Sequence, residues 1–80
     1  MELRPEIEAF AAYMEAAMRG HDPIKGDSWK NKSRTELWVE LINELHDVLS
    51  AMQEGEESSI THECASLACF AMMICTVKED

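Results

Sequence analysis

The alternation of apolar and polar residues follows a helical period through most of the chain. No strand pattern, internal repeat or low-complexity tract interrupts that period. The sequence therefore predicts an all-α fold, with three helices in a single domain. In chain order, the expected elements are a helix over about 3–19, a loop over about 20–32, a helix over about 33–53 and a helix over about 59–77, all within the domain 1–80.

Local signals mark where the predicted helices begin. Pro5 suits the first turn of the first helix, because the amide proton that proline lacks has no helical acceptor there. Ser33 and Glu36 match the capping box, in which serine hydroxyl and glutamate carboxylate each accept from the other's backbone N–H. Ser58 or Ser59 is the expected cap of the third helix.

The second predicted helix carries carboxylates along one face, spaced four, four and three residues apart. At about 100° per residue they share an arc of roughly 80°, and Asn43 falls on the same face. These carboxylates are Glu36, Glu40, Glu44 and Asp47. The other side carries a leucine stripe of Leu37, Leu41, Leu45, Val48 and Met52. Such a face is either an ordinary solvated acidic surface or one half of a site for a hard cation.

The third predicted helix is apolar on all sides. From Cys64 to Val77 only Ser66 and Thr76 are polar, and a helix of that kind is surrounded by protein. Two further helices in so short a chain cannot cover it, so we expect a homo-oligomer, a dimer or a tetramer, packed through the second and third helices. Glu63 lies within the apolar stripe and therefore needs a cation, a lysine or a proton as its partner.

The composition of the chain limits the expected cellular location of the protein and the classes of partner it binds. A net charge of −9 argues against binding to a nucleic-acid backbone, which requires a basic surface. No run of roughly 18–20 uninterrupted apolar residues and no positively charged leader is present, so we expect no membrane segment. The three cysteines are odd in number and clustered among apolar residues, which favours reduced thiols and a cytoplasmic location.

The predicted loop concentrates basic charge around a tryptophan. Four of the seven basic residues lie between positions 25 and 34. Trp29 would stack on a base while Lys25, Lys30 or Lys32 contacts a phosphate. The alternative is that Trp29 covers the end of the helical bundle and the lysines are solvated.

Three segments together resemble a known family. They are Trp29-Lys30, the run Glu-Leu-Trp-Val-Glu-Leu-Ile-Asn-Glu-Leu-His-Asp-Val-Leu at 36–49, and His-Glu-Cys-Ala-Ser-Leu-Ala-Cys-Phe-Ala-Met-Met-Ile at 62–74. The pattern is similar to small phage and bacterial MazG-like proteins of the all-α nucleoside triphosphate pyrophosphohydrolase superfamily. The resemblance covers about residues 29–75, and its most specific element is the ending Phe-Ala-Met-Met-Ile.

The resemblance implies an oligomeric MazG-like helical bundle and a metal site. The family signature is Glu-Glu-x-x-Glu on one helix and Glu-x-x-Asp on the next, and these carboxylates hold Mg²⁺, or Mn²⁺, against a triphosphate. By position, the implied metal ligands are Glu44, Asp47 and Glu63, with Glu44 and Glu63 as catalytic carboxylates and Asn43 as a nucleotide contact. The chain departs from the signature in Asn43, in the shorter Asp47, and in Ser66, where the family has aspartate.

Three functions follow from this resemblance. The first is a Mg²⁺-dependent pyrophosphohydrolase that cleaves a nucleoside triphosphate to the monophosphate and pyrophosphate. The second is a catalytically inactive phage protein that sequesters a nucleotide or a nucleotide-derived signal in the host cytoplasm, as an anti-defence sponge would. The third is an inhibitor that binds another protein on the same scaffold.

Overall fold

The computed structural model of the chain describes residues 1–23 and 26–77. These residues form three α-helices and one short 3₁₀ helix, and no strand occurs among them. The prediction of an all-α, three-helix chain is confirmed. The elements are α1 (Pro5–His21), the 3₁₀ helix Ser28–Asn31, α2 (Arg34–Glu54) and α3 (Glu57–Thr76).

The second helix has well-defined ends. The Ser33 hydroxyl accepts a hydrogen bond from the Glu36 N–H at 3.1 Å, and the Glu36 carboxylate accepts one from the Ser33 N–H at 3.3 Å. This is the predicted capping box. At the other end Gly55 adopts a left-handed conformation with φ of 76° and donates its N–H to the Ala51 carbonyl at 3.0 Å.

The predicted cap of the third helix was wrong. Neither Ser58 nor Ser59 caps α3, because the helix already begins at Glu57. The left-handed turn at Gly55 ends α2 so abruptly that only Gly55 and Glu56 separate the two helices. The Ser58 hydroxyl instead donates to the Glu56 carboxylate at 2.9 Å.

The third helix packs against both α1 and α2 and carries most of the core. Cys69 and Met73 of α3 are buried with Leu37 of α2 and with Val77. The Cys69 thiol donates a hydrogen bond to the Met14 carbonyl of α1 at 3.5 Å, and burial raises the pKa of that thiol. All three cysteines are free thiols. By length and mean hydropathy (1.3) α3 could cross a membrane, a property that central helices of folded domains share.

The chain covers α3 better than the sequence predicts. Between Cys64 and Thr76 the exposed residues are Ala71, Cys75 and Thr76. Among the described residues, five of the nine large exposed apolar side chains lie on α2 and the other four lie in or before α1. The leucine stripe of α2 divides between two directions. Leu37 is buried and Leu41 and Val48 are half-buried, whereas Leu45 and Met52 are more than half exposed.

Candidate functional site

Three carboxylates from two helices meet on one side of the α2–α3 contact. Glu44 and Asp47 stand one turn apart on α2, and the packing of α3 brings Glu63 beside them. One oxygen atom of each residue lies within 4.8 Å of an oxygen atom of both others. Glu44 and Glu63 are half-buried and Asp47 is exposed. We call these three residues the carboxylate cluster.

Electrostatics makes Glu44 the unusual member of the cluster. Its pKa is raised from 4.5 to about 7, first by burial and then by charge repulsion from, and hydrogen bonding with, the carboxylates of Glu63 and Asp47. Its Oε1 atom is buried without a hydrogen-bond partner among the described residues. Glu63 approaches the Nε2 atom of exposed His62 at 3.9 Å, a weak contact. The cluster therefore favours any ligand that brings positive charge or a proton.

The donor set of the cluster fits a small divalent cation. Carboxylate oxygens are the ligands that Mg²⁺ and Mn²⁺ prefer, and octahedral Mg²⁺ places its ligand oxygens about 3 to 4.2 Å apart. The oxygens of Glu44, Asp47 and Glu63 lie within 4.8 Å, so side-chain adjustments of up to about 2 Å would bring neighbouring oxygens to the spacing of about 3 Å. Three protein oxygens leave positions for phosphate oxygens or water.

An apolar cavity of about 180 Å³ lies beside the cluster, between α1, the 3₁₀ helix, α2 and α3. Glu44 lines this cavity, whereas Asp47 and Glu63 line an open groove of about 490 Å³ on the neighbouring surface. The carboxylate cluster therefore lies where the cavity and the groove meet. The cavity walls include Met18, His21, Trp29, Lys32, Glu40, Ser66, Cys69, Phe70 and Met73.

Trp29 supplies the second buried polar atom of the cavity. The 3₁₀ helix packs its indole ring against the core, and its Nε1 atom is buried without a hydrogen-bond acceptor among the described residues. A buried N–H without an acceptor costs roughly 1–3 kcal/mol, so an acceptor supplied by a ligand would be favourable there. Trp29 and Glu44 both line the cavity, and each carries one buried polar atom without a hydrogen-bond partner among the described residues.

The predicted basic residues take different positions. The Lys32 ammonium group forms a half-buried ion pair with Glu40 at 2.6 Å on the cavity wall. Lys30 is exposed, pairs with Asp27 at 3.2 Å, and places its ammonium group 5.6 Å from the centre of the Trp29 ring. Lys25, another predicted phosphate contact, lies outside the described residues.

The structure thus brings some of the predicted site residues together and leaves others apart. Glu44, Asp47 and Glu63 form the cluster, and Trp29 and Lys32 share the cavity with Glu44. Asn43 is exposed and lines neither the cavity nor the groove.

Sequence reasoning missed two features of the cavity. It gave Glu40 no role of its own within the acidic face, although Glu40 stands one turn before Glu44 on the cavity wall. It also gave no role to His21, at the end of α1. The four-residue spacing of Glu40 and Glu44 was the available signal for the first residue. Nothing in the sequence pattern signals the second.

Comparison of the chain with protein-family models, with curated proteins and with solved structures gave no significant match. The likeness to MazG-like proteins therefore stays a prediction based on the motifs at 36–49 and 62–74. The geometry of the cluster and of the cavity stands independently of that likeness.

Proposed function

We propose that this chain binds a nucleoside triphosphate together with a divalent cation, Mg²⁺ or Mn²⁺. The observation that supports this most is the position of the carboxylate cluster between a partly open, mostly apolar cavity and an open groove. A nucleotide has the same division, with a flat heterocyclic base at one end and a charged phosphate chain at the other. Glu44 lies at the junction, where the two parts of such a ligand would meet.

The cavity suits the base. A cavity of about 150 Å³ accommodates a benzene ring, so 180 Å³ accommodates a ring system of nucleobase size. Met18, Phe70 and Met73 offer apolar contacts to its faces. Every nucleobase carries a carbonyl oxygen or a ring nitrogen that accepts hydrogen bonds, and the Trp29 N–H is the donor that lacks an acceptor. Trp29 would thus recognise the edge of the base through its N–H group.

The phosphate chain requires the cation. A triphosphate alone would be repelled by Asp47 and Glu63 and by the net charge of −9. When bound, Mg²⁺ supplies the positive charge that lets phosphate oxygens lie beside these carboxylates. The three residues of the cluster would hold the cation, and Lys32, which pairs with Glu40, lines the cavity beside them.

The resemblance to MazG-like proteins implies hydrolysis to a monophosphate and pyrophosphate as the reaction. Water would add to the α-phosphorus while the bond from that phosphorus to the bridging oxygen breaks and pyrophosphate leaves. Glu44 and Glu63 would accept the proton of that water. The pKa of Glu44 near 7 belongs to the cation-free cluster, and a cation bound among the three carboxylates would lower it.

One observation favours retention of the nucleotide without hydrolysis. Ser66, at the position where the family signature has aspartate, lines the cavity and brings no carboxylate to the site. α3 then supplies Glu63 as its single carboxylate in the cluster. A site with fewer charges still binds a nucleotide, but it stabilises the charge that develops during hydrolysis less well. The second candidate is therefore a protein that sequesters an intact nucleotide.

One experiment separates these candidates. The protein is mixed with a nucleotide panel at equal concentration, with Mg²⁺, with Mn²⁺ or with EDTA, and the filtrate is chromatographed. The protein is then denatured and the released material is chromatographed in turn. Monophosphate and pyrophosphate identify the hydrolase. A nucleotide that leaves the filtrate and returns intact after denaturation identifies the sequestering protein.

Two variants complete the test. Asp47→Asn removes an exposed member of the cluster and should abolish the cation-dependent binding. Glu8→Gln removes an exposed carboxylate of α1, far from the cluster in the sequence, and should leave binding unchanged. If no nucleotide is retained or converted in any condition, both candidates are rejected, and binding to another protein becomes the remaining function.

A further inference from the structure

The outward side of α2 carries a second apolar stripe, which the described residues leave largely exposed. Trp38, Leu45, Leu49 and Met52 are each 53–58% exposed, and Ile42 between them is half-buried. We call these five residues the α2 seam. Together they hold most of the large exposed apolar side chains of the described α2 and α3.

The spacing of the seam is that of a helix which pairs with another helix. The intervals are four, three, four and three residues, so all five side chains fall within an arc of roughly 80°. Alternating steps of three and four residues form the heptad pattern of paired helices, with Ile42 and Leu49 at one core position and Trp38, Leu45 and Met52 at the other. The carboxylate cluster uses a different direction of the same helix.

The chain exposes more accessible surface than a compact monomer of its mass. A compact monomer of 9.1 kDa is expected to expose about 4,900 Å². This chain exposes 6034 Å², about 1,100 Å² more. A standard protein–protein interface covers about 800 Å² of each partner, so the excess over the whole chain is comparable in size to one dimer interface.

Charge favours a second copy in one particular orientation. One edge of the seam is formed by Val39, His46 and Gln53, without carboxylate, lysine or arginine, so two chains of net charge −9 can approach there. The two ends of α2 differ in charge. Lys30 and Lys32 before the helix pair with Asp27 and Glu40, whereas acidic residues end the helix (Glu54, Glu56 and Glu57). An antiparallel pair keeps the two acidic ends apart and sets each beside the charge-compensated start of the other helix.

We propose that a second copy of this chain packs on the α2 seam, with the two α2 helices antiparallel about an axis between residues 43 and 44. In this register Trp38 contacts Leu49 of the second copy, and Ile42 contacts Leu45 of the second copy. The dimer covers the outward side of α2 and leaves the cavity and the carboxylate cluster open. The interface thus differs from the predicted one through the second and third helices.

Measuring the oligomeric state tests whether a second copy binds to the α2 seam. The mass in solution of the full chain is measured by light scattering over a range of concentrations. We expect twice 9.1 kDa for the wild type and 9.1 kDa for Leu45→Lys. Ile7→Lys changes a similarly exposed apolar side chain on α1 and should remain a dimer. Circular dichroism verifies that each variant is helical. A monomeric wild type, or a dimer that Ile7→Lys dissociates and Leu45→Lys does not, overturns the proposal.

Cross-linking tests the orientation and does not depend on Leu45→Lys folding. In a Cys75→Ser background, which removes the exposed native thiol, Thr35→Cys and Met52→Cys are prepared separately and then mixed under oxidation. The antiparallel register places position 35 beside position 52 of the second copy. We expect a disulfide between the two variants only in the mixture. Disulfides within each variant alone show a parallel pair, and no disulfide shows that the seams do not meet; either result rejects the arrangement.

Discussion

Replacing Glu44 with glutamine removes the carboxylate that the fold ionises least readily. Its pKa is raised from 4.5 to about 7, first by burial and then by Glu63 and Asp47. One pKa unit corresponds to 1.36 kcal/mol, so the whole shift sets an upper limit of about 3 kcal/mol of destabilisation above pH 7. Because Glu44 is only half-buried, solvent screens part of that repulsion. We expect Glu44→Gln to raise the free energy of unfolding by about 1–2 kcal/mol at pH 8.

The sign of the pH dependence follows from the same shift. The folded pKa of Glu44 lies above the unfolded value, so the folded chain holds the proton more tightly than the unfolded chain does. The contribution of this proton to the free energy of unfolding is fully present below about pH 4.5 and is lost as the pH rises through about 7. The wild type should therefore lose stability over this interval relative to Glu44→Gln, and the two curves should converge near pH 4.5.

Urea unfolding measures this difference. Far-ultraviolet circular dichroism follows the loss of helix at pH 5 and pH 8, in EDTA and at one fixed protein concentration, because dimer dissociation shifts apparent stability. Glu8→Gln is the matched control, since it removes an exposed carboxylate from α1, and its pH dependence should follow the wild type. The reasoning is refuted if Glu44→Gln is no more stable than the wild type at pH 8, or if its advantage is the same at both pH values.

Three further predictions follow. Mg²⁺ should raise the melting temperature of the wild type at pH 8 but not that of Asp47→Asn, as scanning calorimetry would show; equal increases would exclude a site at the cluster. Trp29→Phe keeps an aromatic ring and removes the N–H that lacks an acceptor. Calorimetric titration should then show nucleotide binding weakened by about 3- to 10-fold. An unchanged affinity would show that the indole N–H does not contact the nucleotide. Ser33→Ala breaks the capping box and should lower the free energy of urea unfolding by about 1 kcal/mol, against no change if the cap contributes nothing.

The helices could be predicted because their signals are local. The helical period of the apolar residues and the pair Ser33 and Glu36 act over a few residues of α2, so no tertiary information is needed. The cap of α3 could not be predicted in the same way. It depends on how abruptly the left-handed turn at Gly55 ends the preceding helix, and both Ser58 and Ser59 then fall inside the first turn.

The division of the leucine stripe depended on tertiary packing. Leu37 and Leu45 belong to one apolar pattern on α2, but their directions differ by about 80°. The packing of α3 selects the direction of Leu37 and leaves Leu45 in the solvent. A sequence pattern shows that both residues are apolar and does not show which of two adjacent directions meets the partner helix.

The candidate site likewise combines features that one helix determines with features that depend on packing between helices. Glu44 and Asp47 share a face of one helix, so their proximity follows from helical geometry alone. The approach of Glu63 depends on the register between α2 and α3, for which the resemblance to MazG-like proteins was the only signal. The burial of the Trp29 Nε1 atom depends on how the 3₁₀ helix packs on the core, and no pattern in the sequence encodes it.

The most direct test is to locate a bound cation. Mn²⁺ broadens the nuclear magnetic resonance signals of nearby amides, and it is added in small amounts to ¹⁵N-labelled protein, with and without a nucleoside triphosphate. We expect broadening centred on Glu44, Asp47 and Glu63, stronger with the nucleotide, and its loss in Asp47→Asn. Broadening that is centred instead on the exposed acidic residues of the α2–α3 connection, or that Asp47→Asn does not change, would contradict a cation site at the cluster.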